Sequence, residues 1–270
     1  MGGVLRLANF LADNARPIYE RIANYLAVRL DTPVRLLTGL SGEERHRRLG
    51  TGDIDLAFIC GLPYSEKHDR PDPPIELLCA PVMTAPRYGG RPVYFTDVVV
   101  RRDRSFRAFS DLRGTAWAYN DQGSHSGYNV VRHHLLAIGE TGGYFGRVVA
   151  SGAHQSSIQM VLDGEVDASG IDSVVLEIET ARRPELESVL RTIDAIGPSP
   201  IPPVVVARGL AASLKAQVRS LFLGMAEDPA AREILAEGRM AGFAPVRDAD
   251  YDPIRAMVRR AEAAGFLTLR

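Results

Sequence analysis

Pro203-Val204-Val205-Val206-Ala207 is a short apolar run, too brief for a buried helix and rich in β-branched residues. It is read as a buried strand spanning residues 203–207. Three helical patterns follow it, at about 211–226, 229–237 and 250–264, and no sheet of their own is apparent. A lone strand must pair with something, and the simplest partner is the sheet formed at the start of the chain.

That first sheet is legible in the alternation of elements. Val4 to Phe10 reads as a strand. Asn14 looks like a helix cap, with Pro17 in the first turn and Ile18, Ile22, Tyr25, Leu26 and Leu30 at helical spacing. Pro33 to Leu37 and Ile54 to Ile59 are further strands, separated by a charged helix at 43–49. Strands at 76–82 and 92–101 close this part. The rhythm restarts with strand 115–119, a helix at about 126–138, strand 147–150, helix 155–162, strand 166–170 and helix 174–182. Alternating strands and helices specify parallel sheets covered by helices, an α/β class. If residues 203–207 return to the first sheet, the second unit is an insertion. The expected division is residues 1–97 with 202–270 for one lobe and 98–201 for the other, joined by two hinge crossovers. Ligands of such sheets sit in a cleft beyond the carboxyl ends of the strands, at helix N-termini.

Composition narrows the function. The 270 residues, at roughly 150 per domain, suit one large or two medium domains. With 32 Lys+Arg against 33 Asp+Glu the net charge is -1, which argues against bulk nucleic-acid binding. An anion must then be captured by local geometry. No apolar run approaches the roughly 18 residues of a membrane span, so no direct membrane insertion is expected. No secretory leader is visible before Val4, which leaves a cytosolic protein or a mature form. Lysine occurs only at Lys67 and Lys215. Cys60 and Cys79 have no metal-type spacing; they read as small buried residues, with a bridge between them left open. No Walker loop, dinucleotide fingerprint, nucleophile elbow or zinc-protease helix is present, so no cofactor, no metal and no catalytic residue is assigned.

Chemistry concentrates in Tyr119-Asn120-Asp121-Gln122-Gly123-Ser124-His125-Ser126-Gly127-Tyr128, between a strand and a helix. Helix-start amides carry partial positive charge, and glycine lets an oxyanion approach the backbone. The hydroxyls of Ser124 and Ser126 and the imidazole of His125 add donors. The plain alternative is a capped helix in which a serine satisfies the first amides.

Here the chain resembles the phosphate/phosphite/phosphonate ABC-transporter substrate-binding proteins, the PhnD-type group of type II periplasmic binding proteins. Gly123-Ser124-His125-Ser126-Gly127-Tyr128 is similar to that family's x-S-T-S-G-[YF] loop, with histidine where threonine is usual. Gly52-Asp53-Ile54-Asp55-Leu56-Ala57, Tyr94-Phe95-Thr96, Ser110-Asp111-Leu112-Arg113-Gly114, Gly152-Ala153-His154 and Gly164-Glu165-Val166-Asp167-Ala168 match further segments in order. The resemblance implies a type II periplasmic-binding-protein fold, two α/β lobes closing on a ligand cleft. It implies a monomer that captures a small oxyanion and presents it to an ABC permease in the periplasm. It also implies ligand contacts from Ser124, His125, Ser126, Gly127, Tyr94, His154, Asp172 and Tyr64. Asp172 and His154 equally suit helix caps, and Tyr64 and Tyr94 equally suit core aromatics. His125 is expected to make binding pH-sensitive between roughly pH 5.5 and 7.5.

Three departures shape the ligand. Val174 and the Ile201-Pro202-Pro203 segment stand where aminoalkylphosphonate binders are expected to carry acids, and a tyrosine expected near Gly42 is missing. These disfavour 2-aminoethylphosphonate and favour a smaller oxyanion. His133 and His134 are adjacent, unlike metal ligands on a helix, and Arg45-His46-Arg47-Arg48 reads as a solvated face. The same fold class also hosts cleft enzymes that act on small carboxylates, resembling those of the menaquinone pathway, and ligand-binding sensors. These remain the alternatives to transport.

Overall fold

The computed structural model describes residues 3–269. The chain runs β1 (Leu5–Asn9), α1 (Arg16–Leu30), β2 (Val34–Leu37), α2 (Gly42–Gly50), β3 (Leu56–Phe58), α3 (Gly61–His68) and β4 (Ile75–Met83). It continues through β5 (Val93–Arg101), β6 (Ala116–Tyr119), α4 (Val130–Ala137), β7 (Arg147–Ala150), α5 (His154–Leu162), β8 (Ala168–Asp172), α6 (Ser173–Arg182), α7 (Leu186–Val189) and β9 (Leu190–Pro200). Last come β10 (Val204–Ala207), α8 (Ala212–Gly224), α9 (Arg232–Glu237), β11 (Met240–Ala244) and α10 (Asp252–Ala263).

These elements form two compact units. The first holds the chain up to Val93 together with Pro200–Tyr251; the second holds Tyr94–Ser199 and the chain from Asp252 onward. The first unit's sheet has the order β11-β4-β10-β3-β1-β2. β1 pairs in parallel with β2 and β3. β10 lies antiparallel between β3 and β4, with Val204 opposite Phe58 on one side and Cys79 on the other. Val204 to Val206 are fully buried, which is why this run carries no polar residue. β10 separates Phe58 of β3 from Cys79 of β4, and Cys60 lies beyond the end of β3, just before α3. Both cysteines are free thiols.

The second unit's sheet runs β7-β6-β8-β5-β9, with β6 parallel to β7 and β8, and β5 antiparallel to β8. Its core centres on Trp117, stacked on Phe145 at 4.7 Å between ring centres, with Phe109 and Tyr144 beside it.

The boundaries differ from expectation at the C-terminus. Residues 252–269, expected with the first lobe, belong to the second unit, so the chain passes between units three times instead of twice. The cause is specific packing. Phe266 and Leu269 join the Trp117 core, Leu269 N–H donates to the Tyr128 hydroxyl at 3.0 Å, and Arg132 donates to the Leu267 carbonyl at 2.9 Å. Strands β9 and β11 and helices α3 and α7 went unread. β9 and β11 are edge strands, where Gly and Pro are tolerated because one side needs no ladder bonds. In α3 the proline, Pro63, falls in the first turn, where a missing N–H leaves no intrahelical bond unmade. Asn14 is not the cap of α1: it lies in a short 3-10 turn, Asp13–Ala15, and α1 starts after it.

Candidate functional site

The loop after β6 folds in two steps. Asp121 first gathers it, its carboxylate accepting from Gly123 N–H at 2.7 Å and its carbonyl from Ser124 N–H at 3.1 Å. Ser124 is extended and caps the next turn, its Oγ accepting from Gly127 N–H at 3.2 Å. Residues His125–Asn129 then make a wide π-type turn, closed by Asn129 N–H donating to the Ser124 carbonyl at 3.1 Å, before α4 begins. The turn is anchored to β5 by Thr96, whose hydroxyl donates to the Ser126 carbonyl at 2.9 Å. Ser124 through Asn129 are all buried.

The loop's hydroxyls and imidazoles are wired together. Ser126 Oγ lies 3.0 Å from His154 Nε2 and 3.4 Å from Ser124 Oγ. His154 is the first residue of α5, so its ring reaches back to the loop. Gly127 is a steric requirement: a Cβ there would fall 1.9 Å from Asn120 Oδ1 and 3.3 Å from His154 Cε1. Asn120 Oδ1 and His154 Nδ1 are both buried, with no hydrogen-bond partner among the described residues. Asn120 Oδ1 is an acceptor, as is His154 Nδ1 when Nε2 carries the proton, so each calls for a donor to offset its desolvation.

Both imidazoles are neutral. Burial pushes His154 down to about 4, and burial, helped by the nearby His133, pushes His125 down to about 3. This corrects the expected titration of His125 between pH 5.5 and 7.5: a fully enclosed ring does not charge in that range. His125 instead faces inward, its Nε2 3.0 Å from Ser199 Oγ and its Nδ1 3.2 Å from the Asn129 amide.

The remaining expected residues divide. Tyr94 is buried, its ring centre 6.3 Å from that of His125. Asp172 caps α6, accepting from Val174 N–H at 2.8 Å and Val175 N–H at 3.4 Å. Burial holds its carboxyl up at about 7, against the pull of those two amides and with the repulsion of Asp97 and Glu177. Asp172 also sits opposite Thr96 in the β5–β8 register. Tyr64 belongs to the first unit, where its hydroxyl donates to Asp248 at 2.8 Å and its ring meets Tyr251 edge-on. Sequence reasoning missed Asn120, Asn129, Thr96 and Ser199. Asn120 and Asn129 flank the quoted serines, but only the fold turns them inward. The loop of α2 is not uniformly solvated either: Arg47 and Arg48 pair with Glu44, whereas Arg45 reaches the Asn9 carbonyl. His134 packs edge-on against Phe109 at 4.4 Å.

Capping and anion binding use opposite ends of a hydroxyl. Ser124 accepts from Gly127 with a lone pair, which leaves its hydrogen to donate elsewhere. The same holds for Ser126 when His154 donates to it through Nε2. The cluster thus offers hydroxyl hydrogens in a low-dielectric setting, which suits an oxyanion, while the Gly127 N–H expected to meet the ligand is taken up by Ser124. Among the described residues no group of acidic, histidine or cysteine side chains is arranged to hold a metal ion, and no helix is long and apolar enough to cross a membrane.

A family model, the periplasmic phosphonate substrate-binding protein of ABC transporters, matches residues 7–251. The chain belongs to that family. As a phosphonate-type binding protein it serves as the substrate-binding component of an ABC transporter, and its fold is that of the type II periplasmic binding proteins. Among solved structures it is similar to a binding-protein component of the phosphonate ABC transporter of Pseudomonas aeruginosa, with 18% identity and a TM-score of 0.85, covering 98% of this chain and 88% of that one. It is similar to PhnD1 of Prochlorococcus marinus in complex with methylphosphonate, with 17% identity and a TM-score of 0.83, covering 96% and 98%. The aliphatic sulphonate binding protein SsuA of Escherichia coli is more distant, with 14% identity and a TM-score of 0.63, covering 100% and 95%.

Proposed function

We propose that this binding protein captures a compact tetrahedral oxyanion, a phosphonate with a small substituent, phosphite or phosphate, on the Ser124–Gly127 turn. The observation that carries this is the pair of buried Ser124 and Ser126 hydroxyls, 3.4 Å apart at the start of the turn, with Asn120 Oδ1 and His154 Nδ1 as buried acceptors for the P–OH of a singly protonated anion. The set is uncharged, so selectivity rests on geometry and hydrogen-bond count, not on a cationic clamp. Tyr94 and Asp172, in the same unit, are assigned supporting contacts. Val174 and Ile201-Pro202-Pro203 offer no acid to an ammonium group, which disfavours 2-aminoethylphosphonate. The protein works as a monomer in the periplasm, performs no chemistry on its ligand and hands it to a membrane permease.

Titration calorimetry with methylphosphonate, phosphite, phosphate, sulfate, 2-aminoethylphosphonate and acetate tests this reading. One of the first three should bind tightest. Ser124→Ala and Ser126→Ala should each weaken that ligand by about 5- to 150-fold, the 1–3 kcal/mol of a buried hydrogen bond to a charged group. Wild-type affinity in the double variant, or turnover of any ligand, would refute it.

A further inference from the structure

A buried line of polar side chains runs through the second unit behind the serine turn. Arg132 Nη2 donates to Asn129 Oδ1 at 3.1 Å; the Asn129 amide nitrogen is 3.2 Å from His125 Nδ1; His125 Nε2 is 3.0 Å from Ser199 Oγ. Asn129 and His125 are completely enclosed, and Ser199 is 3% exposed.

The direction of this line is fixed at one end. A guanidinium has only donors, so the atom of Asn129 facing Arg132 must be the carbonyl oxygen. Its NH2 then faces His125 and must donate, so Nδ1 is the acceptor. A neutral imidazole with a bare Nδ1 carries its proton on Nε2, and that proton is given to Ser199 Oγ. The reverse order would place two donors against each other at the Arg132–Asn129 contact. Arg132 is itself held in place by the Leu267 carbonyl at 2.9 Å and by the Tyr128 ring, 5.5 Å from its guanidinium carbon.

Ser199 therefore receives a hydrogen bond and must give its own hydrogen away. Among the described residues its hydroxyl meets no hydrogen-bond partner other than His125. It is tied through His125 to the two serines that flank that histidine. We infer that Arg132 polarises the relay Arg132→Asn129→His125→Ser199, so that the Ser199 hydroxyl is held ready to donate to the bound oxyanion. His125 is then a positioning residue instead of a ligand contact, which accounts for histidine at this place: a threonine is too short to span from the turn to Ser199. The inference rests on the oxyanion reading above and adds to it a donor outside the Ser124–Gly127 turn.

The test combines imidazole tautomer spectroscopy with affinity for methylphosphonate, phosphite and phosphate. Long-range 1H–15N correlation on the full-length protein should show His125 protonated at Nε2 alone. Ser199→Ala should bind the best of the three probes about 10-fold or more weakly while keeping that tautomer. Asn129→Asp, which can only accept, should turn His125 to the Nδ1–H form or charge it, so that Ser199 donates inward, and should lose a similar factor. Arg132→Lys, which remains a pure donor, should retain the wild-type tautomer. A wild-type Nδ1–H tautomer, or unchanged affinity in Ser199→Ala when Ser124→Ala and Ser126→Ala are impaired, overturns the relay and leaves the oxyanion reading standing. Failure of all three probes to bind the wild type overturns that reading, and the relay's role with it.

Discussion

Acidification from pH 7 to pH 5 should destabilise the second unit, and replacing Asp172 by asparagine should make the loss steeper. His125 and His154 are buried neutral, held at about 3 and about 4 against an ordinary 6.5. Below pH 6.5 the unfolded chain takes up protons that the folded imidazoles refuse, so stability falls as pH falls. At about 1.4 kcal/mol per pH unit, pH 5 costs roughly 2 kcal/mol for each ring, about 4 together. Asp172 has the opposite sign. Its folded carboxyl, held at about 7 against 3.8, binds a proton across this range while the unfolded one does not, so stability rises as pH falls. Asp172 is half-buried, so its return is at most about 2 kcal/mol. The wild type should therefore lose about 2 kcal/mol or somewhat more. Asp172→Asn keeps the helix cap and removes the compensation, so it should lose about 4. Urea unfolding followed by Trp117 fluorescence measures this directly, because Trp117 is the only tryptophan and lies in the core of this unit. A variant no more acid-sensitive than the wild type, or a wild type stabilised at pH 5, would refute the assignment of these protonation states.

Gly127→Ala should expel Asn120, because its methyl would sit 1.9 Å from Oδ1; calorimetry should show methylphosphonate affinity down at least about 10-fold, with about 1–3 kcal/mol of stability lost in urea. Phe266→Ala should destabilise the Trp117 core by about 3–5 kcal/mol in the same unfolding assay, which would not follow if the C-terminal segment packed elsewhere. Thiol titration in urea should count two free thiols with or without prior reduction, as Cys60 and Cys79 are not bridged.

Much of the fold was written in local pattern. The apolar run at 203–207 has no place except inside a sheet, and β10 occupies the middle of one. What local pattern does not record is which surface an amphipathic helix covers. α10 reads the same whether it packs on one unit or the other, and the deciding residues, Phe266 and Leu269, lie beyond its end. The candidate site shows the same division. Ser124, Ser126 and Gly127 announce themselves by small-residue chemistry at a strand-to-helix turn. Their partners come from distant segments: His154 from 28 residues on, Ser199 from 74 residues beyond His125. The charge state of His125 was misread for a related reason, since exposure is a property of the packed chain and an isolated sequence reports only the unperturbed imidazole.

The most direct measurement is a crystal structure of the protein grown with methylphosphonate. The account predicts anion oxygens within about 3.2 Å of the Ser124 and Ser126 hydroxyls, with Gly127 N–H still capped by Ser124. An anion seated away from the Ser124–Gly127 turn would contradict it.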